Sequence, residues 1–266
     1  MHRAQQTILS SRPFAVRLKK TLEGWSASSL EEQILTHPLV RENQSSKVGL
    51  LVVSSDKGLC GAFNVNLFRQ CVGWMRRRES DRIFLFLIGK KGRDFFRKLA
   101  LPNVQIVEEV TGIFPRVHYS HAELLGNVLL NAYQEQSFRS VTCLYNEFRS
   151  VMRQGVETLE LLPLRHPTRS EAVSARQVEY LYEPGSREIL DVLLPRYLKA
   201  QIYRVLMESQ AAELAARMNA MDSATRNADE LLGGLTLSFN RTRQDSITKE
   251  IAELVGGADA LAGAAC

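Results

Sequence analysis

Between Arg196 and Ala262 the chain contains no proline, and Ala, Leu, Glu, Arg, Gln and Met dominate. Residues of this kind lose little rotamer freedom in a helix, so the whole stretch favours one continuous α-helix. Leu214, Met218, Met221, Thr225, Ala228, Leu232, Leu235 and Phe239 recur at alternating steps of four and three, as do Ile247, Ile251, Leu254, Ala258 and Leu261. That period predicts a coiled-coil seam. The step of eight from Phe239 to Ile247 shifts its phase near Arg243. At 1.5 Å per residue the stretch makes a rod of roughly 100 Å. Such a rod outruns any domain the remaining residues could build, so it must project into something else. Gly233-Gly234 admits one alternative, a break that would fold the rod into a helical hairpin.

Upstream the pattern is different. Residues 47–165 alternate strand and helix signals. Lys47–Ser54 and Ile83–Ile88 are short runs of buried-strand character, and Val104–Val107, Ser140–Phe148 and Val156–Leu162 are further strands. Helical stretches run over Asn64–Arg78, Lys90–Leu99 and His118–Gln136. Strand–helix alternation predicts an α/β domain built on a mostly parallel sheet, with helices on both faces. Residues 1–25 carry Ile8, Ser11, Ala15, Leu18, Leu22 and Trp25 at helical spacing, kinked at Pro13. Three regions follow: a helix over 1–25, a globular domain over 47–165 and a long helix over 187–266.

Charge and cysteine usage exclude several classes. The net charge is +5, but residues 187–266 carry about −2 and the rest about +7. The excess is densest from Arg76 to Lys98, where Phe84, Phe86, Phe95 and Phe96 have the spacing of a core. That pattern suits a solvated basic face or an acidic protein partner, not nucleic acid. No run of eighteen apolar residues is present, so no helix is expected to enter a bilayer. Cys60, Cys71, Cys143 and Cys266 are scattered, which suits free thiols in a reducing compartment.

No active site is spelled out. Ser54–Gly61 reads SSDKGLCG, a strand–loop–helix with neither the dinucleotide nor the P-loop glycine pattern, so Gly58 and Gly61 are read as turn residues. A nucleotide- or cofactor-binding α/β protein using that loop is the alternative function. Cys60 near a helix start is read as a buried structural cysteine. Ile88–Gly92 is read as a strand-to-helix turn, and His118 and His121 as surface histidines with no further ligands near. No metal or cofactor is expected.

Two stretches carry a specific resemblance. Ser54–Asn66, SSDKGLCGAFNVN, is similar to a signature of the gamma subunits of F-type ATP synthases. So are Glu208-Ser209, Ala215–Met221, Ala224–Ala228, Leu235–Gln244 and Ile247–Ala258, which resemble that family's C-terminal helix. Tyr180–Pro184 and Ser11–Ala15 extend the likeness over nearly the whole chain. The N-terminus departs from it: Met1–Gln5 aligns with the interior of the family's first helix, so further turns are expected ahead of Met1.

The resemblance implies a rotor shaft that does no bond chemistry itself. N- and C-terminal helices would form an antiparallel coiled coil inside a ring of alpha and beta subunits. The α/β domain would sit beside epsilon and the membrane c-ring, with delta elsewhere in the complex. By motif position Arg217, Arg243, Gln244, Thr248 and Glu250 would contact the catalytic ring, and Tyr182 and Glu183 would face the c-ring loops. A peripheral position on the cytoplasmic face of a bacterial inner membrane is implied. A free-standing coiled-coil adaptor is the third reading; it predicts a homodimer.

Overall fold

The computed structural model describes residues 36–41, 43–99, 101–136, 138–164 and 186–263. Residues 1–25, expected to supply the N-terminal helix, lie outside them, as do Tyr182 and Glu183. The chain forms two units, residues 1–219 and 220–266.

The first unit is organised by β1 (Lys47–Val53), in which every residue from Val48 to Val53 is buried. A strand with no polar side must lie in the middle of a sheet covered on both faces. β1 pairs in parallel with β2 (Arg82–Ile88) on one side and with β4 (Ser140–Phe148) on the other. β3 (Val104–Val110) pairs in parallel with β2. β5 (Gln154–Leu162) closes the far edge antiparallel to β4, giving the order β3-β2-β1-β4-β5. The mostly parallel sheet expected from the sequence is therefore present, with one antiparallel edge.

Alternate strand residues divide between two cores. On one face α1 (Phe63–Arg76) packs Leu67, Cys71, Trp74 and Met75 over Val48, Leu50, Val52, Ile83, Leu85 and Leu87, with Phe96 of α2 (Lys90–Phe96) beside them. On the other face α3 (Tyr119–Gln136) sets Leu125, Leu129 and Tyr133 against Leu51, Val53, Phe84 and Phe86. The same core takes Leu190, Leu194, Leu198, Ile202, Val205 and Leu206 of α4 (Ser186–Gly263). These recur mostly every fourth residue, the stripe a helix needs to lie along a sheet. Each is fully buried, contributing about 1.5–3 kcal/mol. Of the four phenylalanines read as core, Phe84, Phe86 and Phe96 are buried, whereas Phe95 stacks on Phe68 at the surface.

The residues of α4 from Ala220 onward belong to the second unit. Helix continues through Gly233-Gly234, so the hairpin alternative fails. Two glycines cost about 1 kcal/mol each. Thr236 and Thr242 donate their hydroxyls to the carbonyls of Leu232 and Ser238, and Arg226–Asp222 and Lys249–Glu253 are i,i+4 ion pairs. The seam residues Leu232, Leu235, Phe239, Ile247, Ile251 and Leu254 are exposed.

Candidate functional site

In an open parallel sheet the ligand crevice lies at the carboxyl ends of the strands, where the strand order reverses. Here the reversal falls between β1 and β4. The crevice is occupied by the chain itself. Cys60 from the loop after β1, Phe63 at the start of α1 and Phe148 from the end of β4 pack on Met207, Ala211, Ala212 and Ala215 of α4. Alanine at three of four helix positions brings the α4 backbone close to the loop. Asn146 donates its side-chain amide to the Phe63 carbonyl, tying the two strand ends together.

The SSDKGLCGAFN segment builds this seat. Ser54 donates its hydroxyl to the Ile88 carbonyl at 2.7 Å and accepts the Gly92 amide at 2.8 Å. Gly89 makes room for that bridge: its φ is +92, and a Cβ there would lie 2.3 Å from the Ser54 carbonyl oxygen. Asn64 donates to the Ser55 hydroxyl and to Cys60 Sγ, and accepts the Ser55 amide. The thiol of Cys60 is buried as packing.

Asp56 has the position a bound phosphate would want. Its carboxylate accepts the amides of Lys90 at 2.9 Å, Gly112 at 3.1 Å and Phe114 at 3.1 Å. An internal anion thus satisfies the loop amides that follow β2 and β3. Together with the filled crevice, this argues against nucleotide binding at the Gly58–Gly61 loop.

Three polar side chains of α4 fasten the helix to surrounding loops. Gln210 donates to the Pro115 carbonyl, Arg217 to the Gly58 carbonyl at 3.4 Å, and Asn219 to the Val151 carbonyl at 2.8 Å. Arg217 also pairs with Glu213, one turn earlier. Glu213 is 2% exposed, with one carboxylate oxygen unpartnered. Burial raises its pKa, and Arg217 offsets part of the shift. Glu208, also buried, lies 3.8 Å from Arg204, and burial together with the Glu208 charge pushes the Tyr145 phenol upward.

Of the residues singled out in the sequence, Arg217 is half-buried in this seat, whereas Arg243, Gln244, Thr248 and Glu250 are exposed on the second unit. The two groups belong to different units. His118 is exposed, and its amide donates to His121 Nδ1, so the histidine pair closes the start of α3. Asp56, Gln210, Glu213 and Asn219 carried no role in the sequence reading. Asp56 was visible within the motif, and Gln210 and Glu213 as polar interruptions of an alanine-rich run.

A family model described as ATP synthase matches residues 1–261. The ATP synthase gamma chain of Elusimicrobium minutum is 40% identical, aligning with 97% of this chain and 88% of its own length. That of Pelotomaculum thermopropionicum is 38% identical over 98% and 89%. The chain belongs to the ATP synthase gamma-chain family. Among solved structures, one titled as the OSCP/F1/c-ring of the Euglena gracilis mitochondrial ATP synthase matches with a TM-score of 0.61 at 15% identity, covering 98% of this chain and 94% of the other. A central stalk/c-ring structure from Tetrahymena thermophila matches at 0.55 and 20% identity, covering 84% and 99%. These likenesses concern the fold alone. The SSDKGLCG segment, a candidate ligand loop when read alone, is in this gamma-family member the seat of α4.

Proposed function

We propose that this chain is the non-catalytic central shaft of an F-type ATP synthase, coupling ion flow through a membrane c-ring to ATP synthesis in an alpha/beta ring. The observation that carries the reading is the crevice filled by α4. A sheet that has given its ligand position to its own helix is built to hold that helix. The apolar side chains left exposed on the second unit support a surrounding protein partner, since large apolar side chains in series mark interaction surfaces.

On this reading Arg243, Gln244, Thr248 and Glu250 contact the catalytic ring, their exposure leaving them free to do so. Arg217 meets the ring with whatever donor capacity its bonds to Glu213 and Gly58 leave over. Tyr182 and Glu183 face the c-ring loops, and epsilon and delta complete the partner set. The complex sits on the cytoplasmic face of the inner membrane. No helix among the described residues is long and apolar enough to cross a bilayer, consistent with a peripheral subunit.

Affinity purification with stoichiometry tests the assignment. One copy with alpha, beta and epsilon subunits is expected; a homodimer, or a lone chain holding a nucleotide at the Gly58–Gly61 loop, would refute it. In membranes carrying Arg243→Ala or Gln244→Ala, ATP-driven proton pumping should fall while the subunit still assembles. Unchanged pumping in both would remove those two residues from the ring contact.

A further inference from the structure

The later turns of α1, beyond its Phe63 end in the α4 seat, carry a second feature, which that function does not use. A cleft of about 330 Å³ opens between α1 and the β4–β5 edge, lined by Arg69, Gln70, Gly73, Trp74, Arg77 and Thr158 among others. Arg69, Gly73 and Arg77 are each one turn apart, so the two arginines flank a notch left by a residue without a side chain. Arg77 leans back over that notch: its Nη1 lies 3.9 Å from where a Gly73 Cβ would stand.

None of the described residues lining the cleft is acidic. Neighbouring arginines are engaged elsewhere. Arg78 lies over the Trp74 ring at 4.0 Å, Arg139 pairs with Asp81, and Arg97 pairs with Glu109. Arg76, next in the chain to Arg77, is also exposed. Gln70 and Thr158 supply neutral donors on the two walls. Trp74, at 4% exposed, forms floor and leaves no ring face on which a base could stack.

We propose that this cleft is a binding site for a diphosphate-class anion, held by Arg69 and Arg77 through its phosphoryl oxygens. Guanidinium forks match phosphate geometry and bind it with charge-assisted hydrogen bonds. Two arginines eight residues apart on one helix face span more than a single phosphate, which favours two linked phosphoryl groups over one. Inorganic pyrophosphate and the diphosphate of a nucleotide share this chemistry, and with no stacking surface the site does not read the base.

Calorimetric titration of the full chain with pyrophosphate, ADP and orthophosphate tests this, with Trp74 fluorescence as a local report. The expected result is saturable one-to-one binding of pyrophosphate, and ADP of similar affinity if the nucleotide is a source. Orthophosphate should bind at least about tenfold more weakly. Arg69→Gln and Arg77→Gln should each weaken pyrophosphate by roughly tenfold or more, the size of one lost charge-assisted contact, and should leave thermal stability unchanged. Lys90→Gln, outside the cleft, should leave affinity unchanged. Equal losses from Lys90→Gln would reduce the effect to general basicity and overturn the site. Binding of ADP without pyrophosphate, or of a poly-glutamate peptide that pyrophosphate does not displace, would overturn it too. None of these outcomes depends on assembly with other subunits, so the site and the shaft reading fail separately.

Discussion

Replacing Asp56 by asparagine removes one charge and one acceptor from a carboxylate that serves three amides. If the new NH2 group takes the place of the oxygen facing Phe114, that amide loses its acceptor. If it takes the other place, the Lys90 amide loses its own. Either orientation also sets an N–H against an N–H, and the flanking Gly112 amide keeps one partner in place of two. A hydrogen bond to a charged group contributes about 1.5–3 kcal/mol, and Asp56 is partly open to water, so about 2 kcal/mol is the expected loss. For a unit of this size that corresponds to a fall in Tm of about 4–8 °C. Urea unfolding of the full chain, with amide exchange read at Lys90, Gly112 and Phe114, is the assay. Exchange should quicken at Phe114 or Lys90 before the β1 amides change. A variant with parental stability and full protection at both amides would show that the carboxylate does not hold these loops.

Two glycines on the chain should respond in opposite directions to alanine. Gly89→Ala should destabilise by about 3 kcal/mol or more, because its φ is unfavourable for a side chain and the Cβ collides with Ser54. Gly233→Ala should stabilise the helix by about 1 kcal/mol, since nothing lies within 4 Å of its Cβ; helicity by circular dichroism and local amide exchange would show the sign. Glu213 has its folded pKa raised above the usual 4.5, so its contribution to stability is fully present below that value and is lost as pH rises from there through the raised folded pKa. Glu213→Gln should flatten that decline in urea midpoints taken from pH 4 upward; an unchanged slope would exclude Glu213 as its source. Burial drives the pKa values of Cys71 and Cys143 well above the usual thiol range, so neither should react with iodoacetamide in the folded chain, as mass spectrometry of labelled peptides would reveal.

The strands were legible because β1, β2 and β4 are buried on both sides and therefore read as unbroken apolar runs. β5 was legible as a strand but not in its direction, since an edge strand's partner is fixed by a turn, here Ser150–Arg153, and not by its own pattern. The period of α4 announced a continuous helix but left a break at Gly233-Gly234 open, because two adjacent glycines lower propensity there and continuity depends on what surrounds the helix. The seat was the least legible part. Asp56 and Asn64 act on amides and hydroxyls brought from 9 to 58 residues away, and no local spacing records those pairings. Arg217 could be picked out by its motif. Its bond to Gly58, 159 residues distant, could not.

Alanines 211, 212 and 215 give α4 a smooth bearing surface, over which a helix could slip about its own axis. The polar anchors remove that freedom. At 100° per residue, Gln210 and Arg217 point within about 20° of one another, and Asn219 points to about the opposite side. Twisting the helix would drag one group of bonds one way and the other group the reverse way, which is a mechanical couple. Burial alone would resist only withdrawal of the helix from the sheet. Three hydrogen bonds to the carbonyls of Pro115, Gly58 and Val151 key the part of α4 inside the first unit like a splined joint, so that part resists turning about its own axis as well as withdrawal.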